Sequence, residues 1–342
     1  MSELPFVSVC TPTYNRRPFI EMMFQCFRNQ TYPRDKMEWI IVDDGTDKIE
    51  DLIKKSKLSQ IRYFKIKKKM KLGEKRNYMH KHVKGSIVVY MDDDDYYPPQ
   101  RVEHCVETLT KNPNALCAGS SELYLYFKHI DKMYKSGPFG ENHATAGTFA
   151  FKKELLEQTK YDDNAALAEE RSFLKEYTIP FVQLDPMKTI LVFSHDHNSF
   201  DKKNMLQNSH PQYFRECTKK VRDFIKLDHE EPIYKFFMEN IDKLLEEYSP
   251  GKPYHKPDVV QQLHEISEQR KQLEQPQSAT IMIEVPGQGK RPMSPPEIVE
   301  ILSHQQNQIK FLINRIKELE NDLLHTKMNV AINKPNYAGS TL

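Results

Sequence analysis

Short apolar runs alternate with helical patterns over the first 200 residues of the chain. Four apolar runs predict strands, at residues 6–10, 39–42, 61–66 and 86–91. Helical patterns lie between and after these runs, at residues 18–29, 48–57, 74–83 and 99–112. Because parallel strands need a long connection that is usually a helix, this alternation predicts an α/β fold with a mostly parallel sheet flanked by helices.

The rest of the chain divides by composition. Shorter strands are predicted near residues 115–127, 147–151 and 188–194, with a helix near 166–177, so residues 1–210 form one predicted α/β domain. The predicted segments after it are a helical extension at 211–248, a flexible linker at 249–294, a coiled-coil helix at 295–327 and a disordered tail at 328–342. The linker is predicted because the segment is rich in Pro, Gln, Lys and Glu.

A heptad pattern carries the coiled-coil prediction. Apolar residues alternate steps of four and three, with isoleucine at position a and leucine at position d through Ile309, Leu312, Ile316 and Leu319. This combination favours parallel two-stranded coiled coils, so the pattern predicts a homo-oligomer. The alternative is one amphipathic helix packed on the first domain.

Charge and cysteine usage exclude several classes of protein. The chain has 50 Lys and Arg residues and 48 Asp and Glu residues. The resulting net charge of +2 gives no argument for nucleic acid binding. Five scattered cysteines without a C-x-x-C pair indicate free thiols in a reducing compartment, and we expect a cytoplasmic protein. No signal peptide is recognised, and no apolar run approaches the roughly 20 residues that span a bilayer. We therefore expect no transmembrane segment.

Four consecutive carboxylates, Asp92–Asp95, directly follow the apolar run at residues 87–91. Ligands of open α/β sheets gather at the carboxyl ends of strands. Adjacent carboxylates repel one another unless a cation lies among them, and a hard divalent metal that carries a phosphorylated substrate is the usual solution. The alternative is a solvated acidic turn.

Three further polar segments follow or precede predicted strands, at residues 11–16, 43–46 and 71–77. Each could separately be a turn, a helix cap or an exposed helix start. Together they place polar groups at the ends of the first, second and fourth strands, which is the edge where the acidic run lies.

The order of these motifs resembles family 2 glycosyltransferases, which have the GT-A fold. The matching segments are 7–16 (VSVCTPTYNR), 40–46 (IIVDDGT), 91–99 (MDDDDYYPP), 161–163 followed by the pair Glu169 and Glu170, and 194–198 (SHDHN). The resemblance covers roughly residues 5–200. It extends to glycosyltransferase-like proteins of large DNA viruses, for which the location would be the host cytoplasm or the virion.

The resemblance implies a nucleotide-binding role for several residues. Asp44 would read the uracil ring of the donor, flanked by Tyr14 or by the backbone of Thr11 and Pro12. Lys75 or Arg76 would face the diphosphate, for which arginine is suited by its bidentate geometry.

The resemblance also implies a metal site within the acidic run. Asp94 would bind Mn²⁺ or Mg²⁺, and Asp92 or Asp93 would contact the ribose. Because the run contains two overlapping D-x-D frames, Asp92 is also a candidate metal ligand. His195 would be a further ligand, with His197 as the competing choice. An imidazole ligand favours Mn²⁺.

A general base is implied at the acidic pair. Glu170 is the first candidate for taking the proton of the acceptor hydroxyl, and Glu169 is the second. The alternative for both is an exposed pair at a helix start, where the helix dipole stabilises negative charge.

These residues and the resemblance together predict a metal-dependent glycosyltransferase that uses a UDP-sugar and transfers to a glycan, protein or lipid hydroxyl. The resemblance implies inversion of the anomeric centre. Two alternatives remain. A nucleotidyltransferase of related fold would be expected to carry a glycine-rich loop after the first strand, where residues 11–16 contain no glycine. A non-catalytic coiled-coil scaffold with a relic sugar site would have no reason to keep four adjacent carboxylates.

Overall fold

The computed structural model describes residues 3–167, 169–274, 282–285 and 289–332. The chain divides into two compact units, Met1–Gln269 and Arg270–Leu342. The strands of the first unit are β1 (Val7–Thr13), β2 (Met37–Asp43), β3 (Ile61–Lys65), β4 (Ile87–Tyr90), β5 (Cys117–Gly119), β6 (Leu123–Phe127), β7 (Lys132–Ser136), β8 (Ala150–Lys152), β9 (Phe181–Gln183), β10 (Leu191–Ser194) and β11 (Phe214–Cys217).

Helices connect most of these strands. They are α1 (Ile20–Arg28), α2 (Glu50–Ser56), α3 (Leu72–His80), α4 (Arg101–Lys111), α5 (Glu170–Phe173), α6 (Met205–Asn208), α7 (Glu231–Lys235), α8 (Ile241–Glu246) and α9 (Pro257–Glu274), and a π-helical turn at Phe236–Asn240 joins α7 to α8. The predicted helix near 166–177 is thus reduced to α5, which is a single turn.

The main sheet has seven strands in the order β3-β2-β1-β4-β8-β5-β9. Strands β1 to β4 are parallel to one another, and β8 runs antiparallel to both β4 and β5. This arrangement confirms the prediction of a mostly parallel sheet flanked by helices. The four parallel strands are apolar through their centres because helices cover both faces of the sheet.

A second sheet of four strands, in the order β10-β6-β7-β11, lies beside the first. Its last strand, β11, falls within the stretch predicted as a helical extension. Phe214 on β11 stacks on Tyr134 with ring centroids 4.9 Å apart and meets Phe127 edge-on. Aromatic side chains that pair across neighbouring strands stabilise sheet pairing, which explains the strand here.

Aromatic residues fill the core on both faces of the main sheet. On one face, the fully buried Trp39 stacks on Phe27 at 4.3 Å between ring centroids. On the other face, Tyr161 stacks on Phe173 at 4.3 Å, beside the buried Tyr90. The second of these clusters lies under the acidic pair at the start of α5.

The segment after α8, which is predicted as a linker, makes hydrogen bonds with the α/β domain. Asn15 donates to the carbonyl of Pro250 at 3.1 Å. Further along, Gln262 on α9 accepts from the backbone N–H groups of Ala166 and Leu167, each at 2.7 Å. Residues 249–262 therefore pack on the α/β domain, because their polar groups are hydrogen-bonded to it.

The second unit contains an antiparallel hairpin, β12 (Met282–Val285) and β13 (Gly289–Pro292), and the long helix α10 (Pro295–Ile332). Heptad residues on α10 are about half exposed, including Ile309 (56%), Leu312 (57%) and Ile316 (55%). Of the predicted tail at 328–342, residues 328–332 lie within α10 and residues 333–342 lie outside the described residues. Among the helices that are described, none combines the length and apolarity needed to cross a membrane.

Candidate active site

The parallel register of the main sheet brings three polar segments to one edge. Thr13 at the end of β1 pairs with Asp43 at the end of β2, and Cys10 pairs with Tyr90 at the end of β4. The residues that follow these strands, at 14–16, 44–46 and 92–95, therefore emerge on the same side of the sheet. Helix α3 supplies a fourth group, which contains Lys75 and Arg76.

Asp44 forms a buried ion pair with Lys75. The Lys75 ammonium contacts Asp44 Oδ1 and also donates to the carbonyl of Thr13 at 3.2 Å. The backbone N–H of Met70 donates to Asp44 Oδ2 at 2.6 Å. Burial lowers the pKa of Lys75, although the charge of Asp44 opposes this effect. Asp44 thus fixes both Lys75 and the loop before α3.

Asp43, its neighbour, has a structural role. Its carboxylate accepts from the backbone N–H groups of Gly45 and Ile49, at 2.9 and 3.2 Å, and from the hydroxyl of Tyr63 at 2.5 Å. A carboxylate with these partners closes the turn after β2 and has its acceptor sites occupied. The structure therefore separates the two adjacent aspartates into one that shapes the loop and one that faces α3.

The expected nucleotide-flanking residues after β1 differ in accessibility. The Thr11 side chain is fully buried, where it donates to the carbonyl of Met91 at 2.6 Å and accepts from the Trp39 indole at 2.9 Å. Pro12 lies within β1 and is partly buried. Tyr14 remains partly exposed at the edge, with the Lys69 ammonium 5.2 Å from its ring centroid. Of these three side chains, Tyr14 is placed where a planar ring could stack.

Arg16 lies inside the acidic run. Its guanidinium is 3.0 Å from Asp94 Oδ2 and 3.5 Å from Asp93 Oδ1, and it donates to the carbonyl of His197 at 2.6 Å. Burial and the neighbouring Asp94 raise the pKa of Asp93 to about 7, although Arg16 opposes this. Arg16 is the last residue of the matching segment at residues 7–16. The sequence alone did not predict a function for its side chain.

His195 lies against Asp94, whereas His197 has no carboxylate at ion-pair distance among the described residues. The distance from His195 Nε2 to Asp94 Oδ2 is 3.4 Å. Burial lowers the pKa of His195 to about 4, so its imidazole is neutral at pH 7, the form that binds metals. His197 Nδ1 has no hydrogen-bond partner among the described residues and lies next to Gly251. Of the two histidines, the geometry places His195 beside the aspartates.

The donor set at this position fits a metal only in part. Within the described residues, no group of three or more His, Cys, Asp or Glu side chains is arranged to hold a metal ion. Asp94 and His195 form a close carboxylate–imidazole pair. Asp92, the other predicted ligand, lies instead 3.9 Å from Arg76. Two protein ligands suit an ion that completes its coordination with substrate phosphates and water.

Asp92 is held in a narrow space next to the backbone of Gly147. Its backbone N–H donates to the Tyr97 hydroxyl at 2.7 Å, and that hydroxyl donates to the carbonyl of Gly147 at 3.1 Å. A Cβ at position 147 would lie 2.6 Å from Asp92 Oδ2, so a side chain there would displace the carboxylate. Burial raises the pKa of Asp92, and Asp92 Oδ1 accepts no hydrogen bond from any described residue. The cationic group recorded beside this buried oxygen is the Arg76 guanidinium, 3.9 Å away.

Arg76 connects the acidic run to the acidic pair. Its Nε donates to Glu169 Oε1 at 2.9 Å, and its guanidinium carbon lies 4.4 Å from the ring centroid of Tyr90. Both side chains of the ion pair are buried, at 3% and 5% exposure. Arg76 therefore fixes Glu169, while Lys75 on the same helix turns towards Asp44.

Glu170 differs from Glu169 in its environment. Burial, followed by the charge of Glu169, raises the pKa of Glu170 to about 7. A group that titrates near neutrality can exchange a proton with a substrate, whereas Glu169 is held as the anion partner of Arg76. The two carboxylates, which sequence alone could not distinguish, thus lie in different surroundings.

Lys256 is a site residue that sequence reasoning missed. It precedes α9, is only 6% exposed and donates to the Ser199 hydroxyl at 2.7 Å. The charges of Asp94 and Asp93 act on it. No signal in the sequence pointed to it, because its segment has the composition of a linker and lies far from the strand motifs.

Residues 8–166 match the family model described as "Glycosyl transferase family 2". An uncharacterized glycosyltransferase of Rickettsia bellii (strain RML369-C) is 35% identical over 123 residues, which cover 35% of this chain and 17% of that protein. An uncharacterized glycosyltransferase of Rickettsia typhi (strain ATCC VR-144 / Wilmington) is 32% identical over 138 residues, which cover 38% of this chain and 42% of that protein. The chain thus spans less than half the length of these curated relatives.

Among solved structures, a mannosyltransferase from Pyrobaculum calidifontis in complex with GDP-Man and Mn²⁺ is similar with a TM-score of 0.47 and 17% identity. The alignment covers 78% of this chain and 76% of that one. No residue role in this chain follows from a likeness at this level. The family match and the named relatives support a glycosyltransferase, while the likeness to viral proteins stays a prediction.

Proposed function

We propose that this chain is a metal-dependent glycosyltransferase that uses a nucleotide-sugar donor, on the premise that residues 8–166 form a glycosyltransferase family 2 domain. The observation that carries the proposal is the convergence of Asp44, the Asp94–His195 pair and the Glu169–Glu170 pair around α3 and the ends of β1, β2 and β4. These groups supply the three chemical functions that sugar transfer from a nucleotide needs. They are recognition of the base, neutralisation of the diphosphate and removal of a proton from the acceptor.

The proposed donor is a UDP-sugar. A carboxylate oxygen of Asp44 can accept a hydrogen bond from the uracil N3–H, because each oxygen offers more than one acceptor site. Tyr14 would stack beside the base. In this structure Lys75 and Met70 cover Asp44, so the proposal requires residues 66–71 to move aside when the base binds.

We propose that Asp94 and His195 hold a divalent metal together with the donor diphosphate. The carboxylate and imidazole ligands favour Mn²⁺ over Mg²⁺. When bound, the ion would withdraw charge from the departing diphosphate.

Glu170 is the proposed general base. Its carboxylate takes the proton of the acceptor hydroxyl while the acceptor oxygen forms a bond to the anomeric carbon. The bond between that carbon and the diphosphate oxygen breaks on the opposite side, so the configuration inverts and UDP leaves. Glu169, paired with Arg76, positions the backbone at the start of α5. The proposed acceptor is a hydroxyl of a glycan, a protein or a lipid.

We further propose that α10 associates with α10 of a second copy of the chain. The half-exposed Ile309, Leu312 and Ile316 follow the heptad spacing of a two-stranded coiled coil. A stripe of this length would otherwise leave apolar surface in contact with water.

The proposed function is tested with a panel of nucleotide sugars, Mn²⁺ and candidate acceptors. We expect release of UDP that stops when EDTA is added and resumes when Mn²⁺ is restored. Release of pyrophosphate from UTP and a sugar phosphate would instead indicate a nucleotidyltransferase. A protein that binds nucleotide sugars without turnover of any of them would indicate the scaffold. The variant Asp35→Asn is a suitable control, because Asp35 is exposed and precedes β2 at the opposite edge of the sheet.

A further inference from the structure

Lys256 is buried without a carboxylate at ion-pair distance. Within the described part of the chain, its side-chain hydrogen bond goes to the Ser199 hydroxyl at 2.7 Å, and no carboxylate oxygen lies within 4.0 Å of its nitrogen. An ammonium has three N–H donors, so two remain after the bond to Ser199. Lysine is rarely buried unless it is paired, because removing its charge from water is costly. Lys75, which is equally buried, has Asp44 as its partner.

The segment that carries Lys256 is tied to the α/β domain on both sides. Before Lys256, the Tyr14 hydroxyl donates to the carbonyl of His255 at 3.2 Å. After it, Asp258 forms an ion pair with Lys69, whose ammonium also faces the Tyr14 ring. Lys256 is therefore held between the proposed base-binding side chain and the acidic run.

Glycine at position 251 allows the segment to approach this closely. A Cβ there would lie 2.6 Å from His197 Nδ1 and 2.7 Å from the carbonyl oxygen of Asn15. Contacts under 3.0 Å are not tolerated between real atoms of this kind, so a larger residue would lift the segment away from the site. The backbone at residues 250–258 is thus fitted to the loop after β1.

The charges around Lys256 suit the binding of an anion. Burial and Arg16 lower the pKa of Lys256 to about 7, while Asp94 and Asp93 act in the opposite direction. An additional anion next to the nitrogen would stabilise its charged form. The first turn of α9 begins at the next residue, Pro257, and places the positive end of a helix dipole on the same side.

From this placement we infer that Lys256 binds the diphosphate of the nucleotide donor, and that residues 249–258 form one wall of the donor site. This inference rests on the proposed function for the identity of the ligand class. It adds a binding residue from outside the segment that matches the family model. A lysine at this position would contact the diphosphate of the donor and of the departing nucleotide alike.

The test measures binding of UDP and of uridine, each in the presence of Mn²⁺, by isothermal titration calorimetry on the full chain. We expect Lys256→Met to weaken UDP binding by about 10- to 100-fold, the range for a lost charge-assisted hydrogen bond. Uridine lacks the diphosphate, so its affinity should be unchanged. Lys256→Arg should retain most of the UDP affinity. Lys243→Met, which removes an exposed lysine on α8, is the matched control and should change neither affinity.

Four outcomes separate the inference from the proposed function. UDP affinity within about twofold of wild type in Lys256→Met would overturn the inference, as would an equal loss of uridine and UDP affinity, which indicates a purely structural wall. Wild-type protein that binds neither UDP nor GDP would overturn the inference together with the donor proposal. Wild-type protein that binds UDP and loses it in Lys256→Met, yet transfers no sugar, supports the inference and counts against the proposed activity.

Discussion

Replacing Glu169 should change the pH dependence of transfer through its neighbour Glu170. The pKa of Glu170 is raised to about 7 by burial and by the charge of Glu169. Because the proposed base must be deprotonated, kcat/KM should be low on the acidic side and rise to a plateau above pH 8. Between pH 8 and pH 6 the deprotonated fraction of a group with this pKa falls about tenfold.

Glu169→Gln removes the negative charge and leaves the Arg76 guanidinium without its partner. Both changes favour the Glu170 carboxylate, so its pKa should fall. A decrease of about one unit, which corresponds to about 1.4 kcal/mol, would leave roughly half of the base active at pH 6. The ratio of kcat/KM at pH 6 to that at pH 8 should therefore rise from about 0.1 to about 0.5.

The assay is UDP release measured at saturating Mn²⁺ from pH 5.5 to 9, with substrate well below KM. Glu157→Gln, an exposed carboxylate at the end of a surface turn, is the control and should keep the wild-type profile. Glu170→Gln should lower kcat/KM by about 10²- to 10⁴-fold, as expected for loss of a general base. This assignment would be refuted if Glu170→Gln kept more than a tenth of wild-type kcat/KM. It would also be refuted if Glu169→Gln left the ratio of kcat/KM at pH 6 to that at pH 8 unchanged.

Four further changes probe the remaining parts of the structure. Asp94→Asn should lower Mn²⁺-dependent UDP release by at least about 100-fold, because a metal ligand that stabilises the departing charge is lost. Gly147→Ala should lower kcat/KM by about tenfold, since the added Cβ would lie 2.6 Å from Asp92 Oδ2. Arg76→Met should reduce the free energy of unfolding in urea by about 3–5 kcal/mol by leaving a buried carboxylate unpaired. Ile309→Lys should convert a dimer to a monomer in light scattering of the full chain.

Three of these four changes have a matched control within the chain. Gly140→Ala introduces a methyl group with its nearest neighbour at 3.8 Å and should be silent. Arg222→Met removes an exposed ion pair with Glu231 and should leave the unfolding midpoint almost unchanged. Asn307→Lys falls on the outer side of the heptad pattern and should leave the mass of the particle unchanged. A monomeric wild-type chain, or equal destabilisation in Arg76→Met and Arg222→Met, would contradict the corresponding prediction.

The sheet and its polar edge could be predicted because their signals are local. Runs such as residues 87–91 are apolar throughout since both faces of a parallel strand are covered, and the polar residues that follow mark the point where the strand ends. The strand β11 could not be predicted in this way. Its formation depends on the stacking of Phe214 against Tyr134, which belongs to a different part of the chain.

Within the site, sequence identified the residue types but could not assign their partners. Thr11 and Tyr14 lie three positions apart in one motif, yet the structure buries Thr11 under Trp39 and leaves Tyr14 at the edge. Likewise, Lys75 and Arg76 are adjacent on α3, but their side chains turn to Asp44 and to Glu169. The direction in which a side chain points from its helix or strand decides its partner. That partner is known only once the elements are packed together in the fold.

The sequence by itself determined the order of the elements and the placement of carboxylates at strand ends, because periodicity and strand boundaries are written in neighbouring residues. Only the tertiary structure decided which carboxylates are paired and which are left with raised pKa values, because desolvation and charge act through space. It also decided that Lys256, about 160 residues after the acidic run in the printed sequence, lies beside that run. No pattern in the residues around Lys256 encodes that proximity, since it arises from the packing of residues 249–262 on the α/β domain.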